Sequence, residues 1–518
     1  MSRRLVILDT TLRDGDQAPL VGFSLGEKIR IANAIAALGV DIIEAGFPSA
    51  SILDFEACRH IAKEMEGRRL GGHAPRVAVM SRCIASDITR AGQALSGDSL
   101  GIIHLSLPVS DLHIEAKLGL SKKDLIAKAI DSIRFALGFA DSVEMGAEDA
   151  TRADPDFLEE YSLAVCDAGA KVVNIADTVG EATPQLITRT VSRLVKAVPQ
   201  FSQGTACISV HCHNDMGLAC ANTLAGIRSG AGQIEASIAG IGERSGNTSL
   251  EEIAAILQNP KAQTRCQTHL NPAALYEANR LVCGILGIGT PPFRAVWGST
   301  SKAHASGIHQ HGLSRHPLTY RSVYSNVSSF PKDRTVLSRH SGKAGVYSYL
   351  GQYANIHEGS VPKGDLDSAA EQILTLLKER SETPSLGEIL LILSSQGIYK
   401  GAILQDPGML QVSESTGQTG GSTIRVRLSM DDGTLEAEEK NLIEALSRII
   451  WMMGGCVPRI LSHSVCVGTE QCRAYLETAH PIQENAILVF ERTGITQART
   501  LLNCLLDAAN ANEALSEQ

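Results

Sequence analysis

No stretch of about 18 uninterrupted apolar residues occurs in this 518-residue chain, so the sequence offers no candidate membrane-spanning helix. No secretory leader is expected either: the opening MSRRLVILDTTLRDG breaks its short apolar run at Asp9, and no h-region with a cleavage site follows. Lys and Arg form no cluster and the formal net charge is -9, which argues against nucleic acid or an anionic membrane as partner. The 12 cysteines make no CxxC pair and no dense framework, so they are expected as buried thiols. The first strand-to-helix turn lacks GxGxxG, and the dinucleotide-binding reading loses its main support. What remains is a cytoplasmic enzyme or binding protein, of ordinary composition and too long for one core.

What is present is repetition. Short β-rich segments recur about eight times in the first 250 or so residues: Leu5–Thr10, Val40–Phe47, Arg76–Ser81, Gly101–Leu107, Ser142–Met145, Lys171–Ala176, Cys207–Val210 and Gln233–Ala239. Helical patterns lie between most of them. Glu27–Leu38 places Ile29, Ala32 and Ala36 on one face, and Phe55, Cys58, Ala62 and Met65 share another. Asp154-Pro155 and Thr183-Pro184 each pair an N-cap with proline at the first helical position, and Gly169 stops the helix that Asp154 opens. Alternation at this spacing implies parallel strands with crossover helices, and eight units fit a closed (β/α)8 barrel better than an open sheet. The polar residues agree, because Arg13, Asp14, Glu148, Asp149, Asp177, Thr178, His211 and His213 follow the strands and so converge on one barrel face.

The pattern then changes. The expected fold class is α/β: a TIM barrel over residues 1–265, a helical linker subdomain over 266–380 and an α+β C-terminal domain over 381–510. A helix is expected at Leu366–Lys378, β-like runs at Thr423–Leu428, Val465–Val467 and Ala486–Phe490, and a long helix through Leu442–Met452. The glycine-rich stretch Thr416–Ser422 is expected as a mobile loop, and the polar tail after Ala508 is expected to fray.

The strongest local motif is His211-Cys212-His213-Asn214-Asp215. Alternation along a strand puts the two imidazoles on one side and Cys212 on the other. Such a pair can hold one divalent cation, with Asp14 completing a His/His/carboxylate set that suits Zn, Mn, Fe or a weakly held Mg. The bland alternative is two histidines hydrogen-bonded in a polar barrel mouth. In Arg13-Asp14-Gly15, Arg13 can donate to an oxyanion and Gly15 allows a sharp turn, although RD pairs are also common as plain salt bridges. Gly240-Ile241-Gly242-Glu243-Arg244-Ser245-Gly246-Asn247 is a turn whose backbone N–H groups can face an anion or carbonyl.

The run LRDGDQ with Lys28 beyond it, HCHND inside Val210–Ala219, and GIGERSGN together resemble the isopropylmalate synthase and homocitrate synthase family. Glu148–Arg152, Ala176–Gly180 and Ser306–Gln310 are similar to that family as well, so the likeness runs in order over roughly residues 1–350. The resemblance implies condensation of acetyl-CoA, as co-substrate, with a 2-oxo acid on a barrel bearing a divalent cation (Mg, Mn or Zn). It implies Asp14, His211 and His213 as metal ligands with Asn247 close by, and Arg13 as stabiliser of the developing alkoxide. His104 and Thr178 resemble residues that contact the oxo acid, Gly240 and Gly242 belong to the substrate-side loop, and Glu148 resembles a carboxylate of the same face. His309 and Tyr320 resemble the pair linked to deprotonating the acetyl methyl, acting across a homodimer.

Several positions depart from the family pattern. His311 stands where an acidic residue is common, Ala239 where asparagine is, and Gly146 where the isopropylmalate enzymes carry serine. Leu107–Asp111 is more similar to homocitrate synthases. The acceptor expected is 2-oxoisovalerate, in leucine biosynthesis, with an amino-acid feedback effector at the C-terminal domain; homocitrate or citramalate synthesis is the alternative. A hydroxymethylglutaryl-CoA lyase-type enzyme lacks its loop cysteine here, and a non-catalytic metabolite sensor sits poorly with an intact polar set.

Overall fold

The computed structural model describes residues 3–19, 21–71, 74–96, 98–288, 291–298, 300–321, 334–380 and 383–400, and beyond these the regular elements between 409 and 516. It divides into two compact units, one spanning residues 1–287 and the other formed by most of the remainder.

In the first unit eight parallel strands close into a barrel in sequence order. They are β1 (Val6–Asp9), β2 (Ile42–Glu44), β3 (Arg76–Arg82), β4 (Ile102–Pro108), β5 (Ser142–Glu148), β6 (Val172–Asp177), β7 (Cys207–Cys212) and β8 (Gln233–Ala236). Closure is made by β8 lying parallel to β1, with Val6 opposite Gln233 and Asp9 opposite Ala236. The eightfold barrel is thus as expected. Three strands are shorter than their apolar runs, however: β1 loses one residue at each end of Leu5–Thr10, and β2 keeps three residues of Val40–Phe47. The run to Ala239 ends at Ala236, because Ala239 takes a left-handed φ of 59° inside a turn.

Helices fill the crossovers. α1 (Leu25–Ala37) opens on a capping box, Ser24 accepting from the Glu27 amide while Glu27 answers the Ser24 amide. Its inner face carries Ile31, Ala32 and Ile35, about one position away from the Ile29 and Ala36 expected, which are only half-buried. Buried Lys28 sits on that face too, bonded to Asp16 at 2.7 Å and Asp54 at 2.5 Å, so an ion pair turned the helix away from its simplest apolar stripe. In α2 (Ile52–Gly71) Cys58, Ala62 and Met65 are buried as expected. Asp154 and Thr183 cap their helices, accepting from Phe157 and Leu186, and Gly169 has φ 115°. Nine described cysteines are free thiols. No helix among the described residues is long and apolar enough to cross a membrane.

The second unit holds a short helix, α3 (Gly307–Arg315), then α4 (Lys343–Ala354), α5 (Lys363–Glu379) and α6 (Leu386–Ser395). A three-stranded antiparallel sheet follows, β9 (Met409–Thr416), β10 (Ser422–Met430) and β11 (Gly433–Glu439), with α7 (Leu442–Met452) after it. The order then repeats: β12 (Ile460–Val467), β13 (Cys472–Ala479), β14 (Ile487–Gly494) and α8 (Gln497–Ser516). The glycine-rich segment 417–421 lies outside the described residues. The tail does not fray at Ala508. α8 continues to Ser516 with Ala509, Asn510, Ala511 and Ala514 buried, because its alanines supply apolar contact that the polar composition of the run conceals in the sequence. One apolar core joins Leu337, Leu350 and Leu377 to Leu390, Leu446 and Leu505.

Candidate active site and metal centre

At the C-terminal mouth of the barrel the ends of β1 and β7 bring three ligand-type side chains together, all buried. His211 ends the inward face of β7 and His213 follows just past the strand. Their Nε2 atoms are 3.1 Å apart, and Cys212 points away into the core. Asp14 Oδ2 lies 3.6 Å from His211 Nε2 and 3.9 Å from His213 Nε2. These spacings leave a point roughly 2.1 Å from all three donors, the length of a metal–nitrogen bond. Asn247 is bridged to His213, and its Oδ1 is buried without a hydrogen-bond partner, as a further oxygen donor facing a cation would be. The donor set fits a divalent metal.

The glycine-rich turn positions this group. Glu243 N donates to Asp14 Oδ1 at 2.9 Å, and Asn247 N donates to Gly240 O at 3.0 Å. Gly240 takes φ 67° and donates its own amide to Ser237 O. Gly242 is a close approach: a Cβ there would sit 2.8 Å from both Asn247 Nδ2 and Asp14 Oδ1.

Arg13 is committed on three sides. Nε donates to Glu44 Oε2 at 2.6 Å, Nη1 donates to Asp14 Oδ2, and Nη2 is 3.7 Å from Glu235 Oε2. Glu44 also meets His104 Nδ1 at 2.8 Å, and Glu235 Oε2 lies at ion-pair distance, 2.9 Å, from His211 Nδ1. Burial penalises every charge here, yet the partners outweigh it in most cases. Arg13 and the imidazoles hold Asp14 well below the usual carboxylate range. Against their burial, Glu235 with Asp14 raises His211 to about 9, and Glu44 raises His104 to about 9. Burial and the neighbouring His211 charge push His213 down to about 3, so the two rings do not both carry protons near neutrality.

Other expected residues lie in different company. Thr178 Oγ1 accepts from Asp149 N at 2.8 Å. Glu148 is held by Lys117 Nζ at 2.6 Å, with His113 Nδ1 at 3.3 Å. His309 and Tyr320 belong to the second unit, where their rings stack at 3.9 Å between centroids. Three carboxylates went unmarked in the sequence: Glu44, Glu144 and Glu235. The available signal was an acid inside an apolar strand, as in Ile42-Ile43-Glu44-Ala45, where inward placement forces partnership.

The HMGL-like family profile matches residues 4–282. A 2-isopropylmalate synthase from Heliobacterium modesticaldum is 41% identical over 343 residues, 66% of this chain and 65% of that protein. One from Pyrococcus furiosus is 40% identical, covering 66% and 67%, and one from Dictyoglomus turgidum is 38% identical, covering 73% and 72%. The chain therefore spans about two thirds of the length of the curated relatives it matches. With that profile over more than half of its length, and these identities over about two thirds of it, the chain belongs to the HMGL-like family and, within it, to the family of the 2-isopropylmalate synthases.

Proposed function

We propose that this protein condenses acetyl-CoA with a 2-oxo acid, 2-oxoisovalerate being the first candidate, to give 2-isopropylmalate by Claisen condensation and thioester hydrolysis. The observation that carries the reading is the meeting of Asp14, His211 and His213 beside Arg13 at the barrel mouth. A divalent cation held by those three residues and Asn247 would supply Lewis-acid polarisation of the acceptor carbonyl. Arg13, immobilised by Glu44 and Asp14, places fixed positive charge where the carbonyl oxygen turns anionic, with no reorganisation at that moment. His104 faces the acceptor with its Nδ1 held by Glu44, Thr178 and the Gly240–Gly242 turn bind the acceptor from the mouth, and Glu148 acts on the same face. His309, stacked on Tyr320, takes the acetyl proton in the partner's barrel of a homodimer. An amino-acid end product acts at the C-terminal elements, and the enzyme works in the cytoplasm.

Acceptor choice turns on β4 and β5. A Cβ at Gly146 would lie 3.2 Å from His104 Nε2, so glycine leaves that side of the imidazole bare for acceptor bulk. The test is release of free CoA with 2-oxoisovalerate, pyruvate, 2-oxoglutarate and oxaloacetate. Strongest turnover with 2-oxoisovalerate, abolished together with bound metal in His211→Ala, supports the reading. Absence of CoA release with all four acceptors sinks it, and preference for 2-oxoglutarate or pyruvate moves the product to homocitrate or citramalate.

A further inference from the structure

A (β/α)8 barrel is ordinarily filled by layers of branched apolar side chains. Beneath this site the filling is ionisable. Glu144, on β5, is 1% exposed, and the condensation as described gives it no role. Gln233 Nε2 donates to its Oε2 at 2.9 Å. Its carboxylate, the His104 ring and the Glu235 carboxylate offer atoms all within 4.8 Å of one another, a gap that one water can span. A buried carboxyl costs several kcal/mol unless it is matched, on the order expected for buried ions, so its presence asks for a reason.

A cavity of about 560 Å³ lies directly below. It is lined by the first residue of seven of the eight barrel strands, Arg76, Ser142, Cys207 and Gln233 among them, which places it on the barrel floor, opposite the mouth. Glu144 lines it as well, and exposed Arg4 and Leu100 form its rim. One carboxyl thus has the floor cavity on one side and His104 on the other.

We propose that Glu144 is a positioning residue that passes protons from the floor cavity to His104, supplying the mouth from behind. This rests on the reading of His104 as facing the acceptor. As the new C–C bond forms, the carbonyl π pair moves to oxygen, and that oxygen forms an O–H bond with the proton on His104 Nε2. The N–H bond breaks, leaving a neutral ring held at Nδ1 by Glu44. The Glu144 O–H bond then breaks, its proton crosses one water to Nε2, and the carboxylate left behind is reprotonated from the floor. The acetyl C–H proton and the proton released by thioester hydrolysis leave at the mouth, so the full turnover releases one proton and no electrons are exchanged.

The surroundings suit this transfer. Glu144 is faced by His104 from β4, Glu44 from β2, Gln233 and Glu235 from β8 and Cys207 from β7, with Arg4, Asp41, Arg69, Arg76 and Lys171 around the floor. Burial raises Glu144 to about 7 against the pull of His104, which itself sits near 9, so transfer toward the ring runs downhill.

Glu144→Gln keeps the size and the contact with Gln233 but cannot relay. The expected result is kcat lower by about tenfold or more, as for loss of general-acid supply, with both KM values and metal content unchanged. The limb of the kcat–pH profile near 7 should vanish, the solvent isotope effect should change, and Glu144→Asp should recover most of the rate. Ala74→Phe, which narrows the floor cavity from its wall and leaves Glu144 itself unaltered, should lower kcat in the same direction and covers the case in which Glu144→Gln does not fold. Full kcat with an unmoved pH profile in either variant overturns the relay. So does a second metal ion per wild-type chain that Glu144→Gln removes, since the cluster is then a cation site. If wild type releases no CoA from any acceptor, the proposed function fails first; if it turns over and the variants match it, only the relay fails.

Discussion

Arg13 is the most heavily engaged side chain of the mouth, and its engagement changes what its removal does. Arg13→Ala leaves Glu44 and Asp14 buried beside an empty space, so stability should fall by roughly 3–5 kcal/mol, as when one partner of a buried ion pair is lost. Turnover should drop by about 10² or more, the effect of deleting an oxyanion donor. Chemical denaturation and free-CoA release measure the two separately, and an active, fully stable Arg13→Ala protein contradicts both. Glu44 gives a pH test. Burial alone would raise its carboxyl, but Arg13 and His104 more than offset that and bring it from 4.5 to about 2. Its contribution, roughly 3 kcal/mol, is fully present above pH 4.5 and is lost as pH falls toward 2. Urea midpoints at pH 7, 4 and 3 should decline steeply in wild type and less steeply in Glu44→Gln, which starts lower. The meeting of Asp14, His211 and His213 was legible in the sequence because two imidazoles two residues apart have one arrangement on a strand. Glu44, Glu144 and Glu235 were not, because a lone acid in an apolar strand can face either way until the barrel closes.

Among the elements, the eight strands could be read from their apolar runs and the caps from Asp154 and Thr183, whose oxygens do locally what their chemistry predicts. The departures have tertiary causes. β8 stops short because Ala239 is held in a left-handed conformation, its amide donating to both oxygens of Glu251 at 2.9 and 3.0 Å. No propensity marks an alanine for that geometry. Glycine pays less there, so Ala239→Gly should stabilise the protein by about 0.5–1 kcal/mol, the left-handed strain outweighing the added chain entropy. A melting point that falls on that change would show that the Ala239 methyl packs better than its φ suggests. α1 was misread by about one position because Lys28, charged yet buried between Asp16 and Asp54, belongs to its inner face.

At the scale of the whole molecule, the apolar core of the second unit sets how the chain can be cut. A chain ending near residue 365 removes Ile373, Leu390, Leu446 and Leu505 from one side of that core and leaves Leu337, Val346, Leu350 and Tyr353 uncovered. Such a fragment should bind hydrophobic dye and sediment as aggregate, whereas one ending at Gly287 keeps the barrel's own core and should melt cooperatively. The proposed feedback control is therefore better probed by point substitutions than by that truncation. The order of synthesis matters as well. Asp14 is anchored by the Glu243 amide, 229 residues further along, and Asn247 reaches His213 only from the same late loop. A ribosome must release both before the mouth is complete, between about ten and fifty seconds at roughly 5–20 residues per second. Until then the nascent chain has histidines without their carboxylate in place, and a ribosome stalled before residue 243 should carry a chain that captures metal weakly, if the ion is added before release.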